Sequence, residues 1–472
     1  MRLALVTGAT GFIGQRVVVE LVDHGWEVRC LCRSRDKAMA MPWADRVESG
    51  EVEIVEGDAG ERADVERALD GVDCAWYLLH SMSSGSGFAE QEAAMARQFG
   101  EVAAEKSVSR IVYLGGLHPE GPEAEGMSEH LASRGRVGEE LRAAGVPTAA
   151  LQAGVVIGDG SLSFELLRHV SERVPAFAAP RWITNRITPI SVRDAVHYLV
   201  AAADLPPEHD RAFDIGGPDT MPYVDMMQRY TQVVGVNRRP FLAAPIMTRR
   251  LASFGLSLLT PLSMREILPI FDSVSSDTVL KERDLEALVG TPEGGNQTFD
   301  EAVAVAAQGT NPGRYGKIAT TVHLAVLATA IAGSLLTDPD SRRYKRLRKP
   351  SWQPPAAAFP LVWTLLYVDL AVISSTTIAD SLEAGEPAAA RADAAALAGN
   401  LVLNAGWSGV FFRSHRRGVA AAWAAALTAS SADLVRRAYR RSPTRAALLA
   451  PYPLWCAFAT ALTARIARLN RS

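Results

Sequence analysis

Cysteine is scarce in this sequence: 4 in 472 residues, at Cys30, Cys32, Cys74 and Cys456. So few exclude a disulfide scaffold. Cys30 and Cys32 share a face of one expected strand, but no second Cys or His pair completes a metal site around them. Four buried thiols and no metal are expected. No leader segment is expected either. The opening MRLALVTGATGFIGQ has one positive charge and an apolar run broken by glycines, too short for a signal peptide. The first part of the chain is therefore expected to stay in the reducing cytoplasm. Acidic side chains are depleted in one half only. Residues 306–472 hold 8 Asp/Glu against 20 Lys/Arg, whereas residues 1–305 hold 44 against 29. A formal net charge of −3 conceals that step, which points to two environments. With 48% hydrophobic and 21% charged residues, the composition is not that of a disordered chain.

The first 300 residues alternate β-branched runs with helical patterns. Strands are expected at 2–7, 27–32, 52–56, 72–79, 110–114, 148–152 and 213–215. Helices are expected at 14–24 and 90–105, and a short strand running into a helix at 185–203. Alternation at this spacing predicts an α/β, Rossmann-type, doubly wound parallel sheet over residues 1–305. The stretch GTNPGRYGK breaks structure and ends a linker expected at 306–317. Residues 318–472 then carry five apolar stretches, near 318–336, 356–379, 394–412, 419–435 and 446–464. A helix crosses the hydrocarbon core with about 20 mostly apolar residues. An all-α, five-helix transmembrane bundle is the expectation, with the lipid bilayer as partner and no nucleic acid. Trp352, Trp363, Trp407, Trp423 and Trp455 fall in this half, suited to membrane interfaces or to an aromatic cavity.

The first expected strand runs into Thr7-Gly8-Ala9-Thr10-Gly11-Phe12-Ile13-Gly14 and then a helix. Gly8 permits a tight turn, Gly11 lets the backbone approach a pyrophosphate, and Gly14 lets helix and strand pack closely. The helix N-terminus offers free N–H groups to the anion. Dinucleotide binding is expected, with Thr10, Phe12 and Ile13 in the cradle. Strand two ends in Arg33-Ser34-Arg35, not in the acid that usually takes a ribose 2′-OH. Arg33 and Ser34 therefore favour NADP(H) over NAD(H). Asp58 and Ala59, after strand three, sit where an acid commonly meets the adenine amino group.

TGATGFIG, the EGDA stretch, RIVYLGG and RITPISVRDAVHYL with FDIGGPD resemble an atypical extended short-chain dehydrogenase/reductase over about residues 1–300, in its NAD(P)H-binding, NmrA-like branch. The resemblance implies a Ser after strand five and a Tyr-x-x-x-Lys pair on the next helix. This chain has Gly115 or Gly116 at the first place, and His130 and Arg134 at the other two. His130 suits proton transfer near neutral pH, and Arg134 suits a ribose or phosphate. The alternative for both is a solvated helix surface. A redox sensor and a degenerate reductase are both compatible with these residues.

In the second half, KPSWQPP stands just before the second apolar stretch, FPLVWTLLY on it, NAGWSGVFF on the third and PYPLWCAFAT on the fifth. Their order and spacing resemble the TspO/MBR family of tryptophan-rich sensory or translocator proteins. The resemblance implies a cavity for porphyrins or other flat apolar molecules, a link to redox or stress sensing, and a homodimer. Carried onto matching positions, it marks Trp352, Trp407, Trp455, Phe458 and Ala459 as ligand-binding residues. The last stretch lacks the family's usual Asn and Tyr after Leu462, which argues against sterols. Asp369, inside the second stretch, is an intramembrane acid and a candidate functional residue. Connector charges mildly favour an N-terminus outside. A cofactor-binding domain whose opening does not read as a signal peptide is nevertheless expected on the cytoplasmic side.

Overall fold

The computed structural model describes residues 2–79, 87–118, 129–174, 177–179, 181–238, 240–243, 247–414 and 417–470. The chain divides into two compact units, one of residues 1–253 and 262–310, the other of 254–261 and 311–472.

The first unit is built on a seven-stranded parallel sheet. Its strands are β1 (Leu3–Thr7), β2 (Glu27–Cys32), β3 (Val52–Glu56), β4 (Cys74–Tyr77), β5 (Arg110–Gly116), β6 (Thr148–Ala153) and β7 (Arg211–Ile215). The order is β7-β6-β5-β4-β1-β2-β3. The chain runs outward from β1 to β3, then returns to the other side of β1, so the topology reverses between β1 and β4. Ligands bind at such a reversal, beyond the carboxyl ends of the strands. Strand neighbours Leu5 and Val6 are both fully buried yet belong to different apolar clusters. Both faces of the sheet are therefore covered, which is why its strands read as continuous apolar runs. Its helices include α1 (Gly14–Asp23), α2 (Phe88–Glu105), α3 (Glu129–Ala143) and α4 (Val192–Ala201). Trp76 on β4 is buried and donates from its indole nitrogen to the Leu199 carbonyl on α4 at 2.9 Å.

All four cysteines are buried free thiols, and no metal-ligand cluster occurs among the described residues.

The second unit is helical. Its long helices are α5 (Arg314–Leu336), α6 (Ala358–Glu383), α7 (Pro387–Arg413) and α8 (Arg417–Arg441), followed by α9 (Pro443–Leu449) and α10 (Pro451–Leu469). Five of these segments, α9 and α10 counting as one, are long and apolar enough to cross a membrane. Leu324, Leu327, Ile331, Leu361, Leu365 and Val402 are exposed along them, as a lipid-facing surface requires.

The connectors are shorter than the apolar stretches suggest. α8 runs to Arg441 and α9 starts at Pro443, so all five arginines of residues 436–445, between the fourth and fifth expected apolar stretches, lie on helices. Four of them are paired: Arg437 with Asp393 at 3.0 Å, Arg436 with Asp433 at 2.6 Å, Arg441 with Glu386, and Arg445 with Asp380 at 2.5 Å.

Candidate functional site

The glycine-rich loop leaves β1 with Gly8 at φ +70°, a backbone conformation that excludes most side chains. A methyl group on Gly8 would stand 2.5 Å from the Leu78 carbonyl oxygen, and one on Gly14 would stand 2.2 Å from the Gly8 carbonyl oxygen. The Gly11 N–H donates to the Gly8 carbonyl at 2.9 Å and closes the turn. No side chain caps the N-terminus of α1, and its first turn holds no acid. Uncapped amides and the dipole end leave that turn suited to a pyrophosphate. Phe12 is held by Arg16, whose guanidinium lies 4.4 Å over the ring and donates to the Phe12 carbonyl at 2.7 Å. Ile13 packs against the core, and Thr10 is exposed on the loop.

Arg33 follows β2 directly and is exposed. No hydrogen bond or ion pair engages it among the described residues. Ser34 caps the next short helix by accepting from the Lys37 N–H at 3.3 Å. Asp58 follows β3, where one of its oxygens accepts from the Gly60 N–H at 2.9 Å, and Ala59 is buried beside it. The Gly57 N–H donates to the Cys32 carbonyl at 3.1 Å, which ties the β2 and β3 ends together. Every residue expected at the cofactor thus lies on three adjacent loops at one edge of the sheet. The geometry fits a dinucleotide with its adenosine half toward β2 and β3.

The nicotinamide half of such a cofactor would extend toward β4 and β5. At Gly116 a methyl group would meet the Leu131 side chain at 2.9 Å, so Leu131 already occupies the space of the absent Ser. Arg134 on α3 donates to the Leu114 carbonyl at 3.3 Å, and Tyr113 donates to the Arg134 carbonyl at 3.0 Å. The Arg134 Nε is buried and has no partner among the described residues. His130 lies on α3, but its side chain falls outside the described residues. Two residues that the sequence pattern did not mark belong here. His118 follows β5, and Lys281 lies near it. Burial, then the Lys281 ammonium and the Arg134 guanidinium, push the His118 imidazole down to about 4.

In the bundle, Trp455 stacks on Phe458 with centroids 5.2 Å apart, and Trp352 meets Phe458 edge-on at 5.8 Å. Phe359 closes this group against Trp455 at 5.8 Å. Trp407 belongs to a second group, stacked on Phe411 at 5.2 Å. Tyr344 contacts Phe411 and Phe412 in that group, and Gln353 donates to the Tyr344 hydroxyl at 3.4 Å. The Nε1 atoms of Trp407 and Trp455 and the Oε1 of Gln353 are buried with no partner among the described residues. Two orphaned N–H donors and an acceptor beside stacked aromatics suit a flat ligand with polar atoms on its edge. Ala459 is half-buried one residue past Phe458.

Trp423 has a different place. It donates to the Leu403 carbonyl at 2.7 Å and lies against Gly406, where a methyl group would come within 2.7 Å of the ring. It locks α8 to α7.

A buried polar ladder joins four helices, and the sequence motifs gave no sign of it. Tyr367 donates to Asn404 at 2.7 Å, Asn404 to the Tyr452 hydroxyl at 3.0 Å, Tyr452 to Asn400 at 2.7 Å, and Asn400 to Ser431 at 3.2 Å. Between membrane helices each such bond contributes about 0.6–1.7 kcal/mol and fixes register. Asp369 is half-buried and has no ion pair or hydrogen bond among the described residues. Asp380, further along the same helix, is buried and pairs with Arg445.

The fold and these two sites define a class: an NAD(P)H-binding doubly wound domain followed by a five-helix membrane bundle. Residues 8–158 match the family described as NAD(P)H-binding, and residues 321–469 match the TspO/MBR family. The chain is 34% identical over 146 residues to the tryptophan-rich protein TspO of Chlorobaculum tepidum, covering 90% of that protein and 30% of this chain. It belongs to the TspO/MBR family through its second unit. The first unit is 30% identical over 204 residues to the ceramide reductase of Caulobacter vibrioides, which is 43% of this chain and 61% of that enzyme. The chain thus spans less than two thirds of that relative's length. The crystal structure of the Citrobacter sp. triphenylmethane reductase complexed with NADP(H) superposes with a TM-score of 0.50 at 16% identity, over 65% of this chain and 100% of that one. That likeness shows the fold.

Proposed function

We propose that the chain is a membrane-anchored NADP(H)-binding protein whose bundle takes a porphyrin or similar flat apolar ligand, linking redox or stress state to that ligand. The observation that carries the ligand reading is the pair of orphaned indole donors, Trp407 Nε1 and Trp455 Nε1, beside stacked aromatic rings. Gly8, Gly11 and Gly14 would hold the pyrophosphate, Arg33 the 2′-phosphate, and Arg134 the ribose on the nicotinamide side. Bound NADPH supplies hydride. The first unit faces the cytoplasm in this reading, where the cofactor is made. The test is a spectral titration of the purified full chain with NADPH and with protoporphyrin.

A second reading is a membrane-tethered reductase of an apolar carbonyl or quinone-like substrate. The resemblance of the first unit to a ceramide reductase supports it, as does Arg134 at the carboxyl end of β5. NADPH oxidation on adding such a substrate separates it from a non-enzymatic sensor that only recruits a partner.

A further inference from the structure

The helix Arg249–Leu259 turns its polar side inward. Ala252, Ser253, Leu256 and Ser257 are buried, as is Thr260 just past its end, so three of these five inward side chains are hydroxyls. The opposite side carries Leu251, 54% exposed, and Phe254, 37% exposed, with Leu258 half-buried in line with them. Positions 251, 254 and 258 fall at i, i+3 and i+7, one stripe of a helix. A helix that faces water shows the reverse, with apolar side chains in and polar ones out. The span α6 has the same inversion: Ser374, Ser375, Thr377 and Ser381 are buried, while Leu361, Leu365 and Val368 are exposed. Small polar residues inside and large apolar ones outside are the pattern of a helix surrounded by lipid.

Residues 254–261 belong to the same compact unit as the bundle. The buried Arg445 guanidinium, at the start of the fifth span, donates to the Thr260 carbonyl and pairs with Asp380, near the end of α6, at 2.5 Å. The Arg441–Glu386 pair joins the end of α8 to the residue that precedes α7. These bonds tie the ends of two spans to the starts of two others, so they mark one rim of the bundle. Thr260 is therefore held at a rim, where hydrocarbon gives way to headgroups. The helix has 11 residues. At that length it rises only about 16 Å, half of what a crossing needs, so it can lie along a bilayer but not span one. Arg249 and Arg250 are exposed in its first turn, and Arg249 is paired with Asp272 at 2.6 Å. A cation next to a large outward apolar side chain suits the level of the lipid phosphates.

We propose that Arg249–Leu259 is an interfacial helix: Leu251, Phe254 and Leu258 enter the bilayer at the rim where Thr260 is held, and Arg250 meets the phosphates. The partner is lipid, because the helix repeats the inversion of the spans and is anchored to their rim. The proposal rests on the bundle crossing a membrane, and it gives the chain an in-plane attachment besides the spans.

The test uses the full chain in nanodiscs of phosphatidylcholine and phosphatidylglycerol. Single nitroxide labels are read by their collisions with oxygen and with a water-soluble nickel chelate. All four native cysteines are buried, so an introduced exposed cysteine takes the label. In Leu251→Cys and Phe254→Cys the label is expected to collide more with oxygen than with nickel, at a depth of about 5–10 Å into the headgroup boundary. In Arg250→Cys it is expected at the level of the phosphates. Met39→Cys, an exposed apolar position in the connector after β2, is the aqueous reference. Leu365→Cys on α6 is expected to read as hydrocarbon. An unchanged melting temperature shows that each variant folds; should Phe254→Cys fail this, Leu251→Cys, the more exposed position, decides alone. Labels at 251 and 254 that meet nickel as freely as the label at 39 overturn the proposal. So do labels shielded from both reagents, which place protein over the stripe. A label at 365 that reads as water refutes instead the membrane reading beneath it.

Discussion

Gly14 approaches Gly8 so closely that a single added methyl group would lie 2.2 Å from the Gly8 carbonyl oxygen. That contact sets the angle at which α1 leaves the phosphate loop. Both partners of the clash are backbone, so nothing flexible can yield. Gly14→Ala should cost about 1–3 kcal/mol of stability and abolish NADPH binding. Thermal melting and NADPH fluorescence titration of the full chain check both parts.

Arg33 is exposed and makes no contact among the described residues, so its removal costs the fold little. A charge-assisted pair to a 2′-phosphate contributes roughly 1.5–3 kcal/mol. Arg33→Ala should therefore weaken NADPH about tenfold or more, leave NADH unchanged and leave the melting temperature within a degree or two. Equal affinity of the unmodified chain for NADPH and NADH would refute the preference.

His118 makes the first unit acid-sensitive. Its folded-state value of about 4 lies below the unfolded value of about 6.5. Between these values the unfolded chain binds more protons, so stability is complete above about pH 6.5 and falls as pH drops toward 4. Allowing for the ring's partial exposure, the loss is roughly 1–3 kcal/mol. Denaturation of the unmodified chain and His118→Gln at several pH values should show a steeper decline in the former. Parallel pH profiles would contradict the assignment.

Asp380 and Arg445 are both buried and meet at 2.5 Å; the same guanidinium also donates to the Thr260 carbonyl. Breaking such a pair from one side leaves an uncompensated buried charge, which costs about 3–5 kcal/mol. Asp380→Leu should sharply lower the melting temperature in detergent, and Asp380→Leu with Arg445→Leu should recover much of the loss. If the double variant is no better than the single one, the pair is not the source of the effect.

Much of the fold was legible because its signals are local. The glycine loop, the β2 and β3 strands and the five apolar stretches each lie within one short window, and the first unit's strand ends shifted by only a few residues. The substrate end of the crevice was not legible in that way. His118 and Lys281 are far apart in sequence and carry no motif, and the field of one reaches the other only because of the fold. In the bundle, Arg445 reads as a loop cation by composition, yet a helix beginning at Pro443 carries it inward to Asp380. Asn400 and Tyr452 sit in apolar stretches without a polar face, so only the packing of four helices shows that they bond to each other. Trp423 reads as a spare tryptophan outside the motifs, and its lock on Gly406 depends on a glycine of another helix.

The most direct test of the account is a titration of the full chain in nanodiscs with protoporphyrin, following tryptophan fluorescence and porphyrin absorbance, with NADPH bound. The account predicts saturable quenching at one porphyrin per chain. Trp352→Phe and Trp455→Phe should each weaken binding by about 0.5–1.5 kcal/mol. Trp423→Phe, which loses its bond to Leu403, should lower stability and leave porphyrin affinity unchanged. Non-saturable quenching, or affinity indifferent to both Trp352 and Trp455, would contradict it.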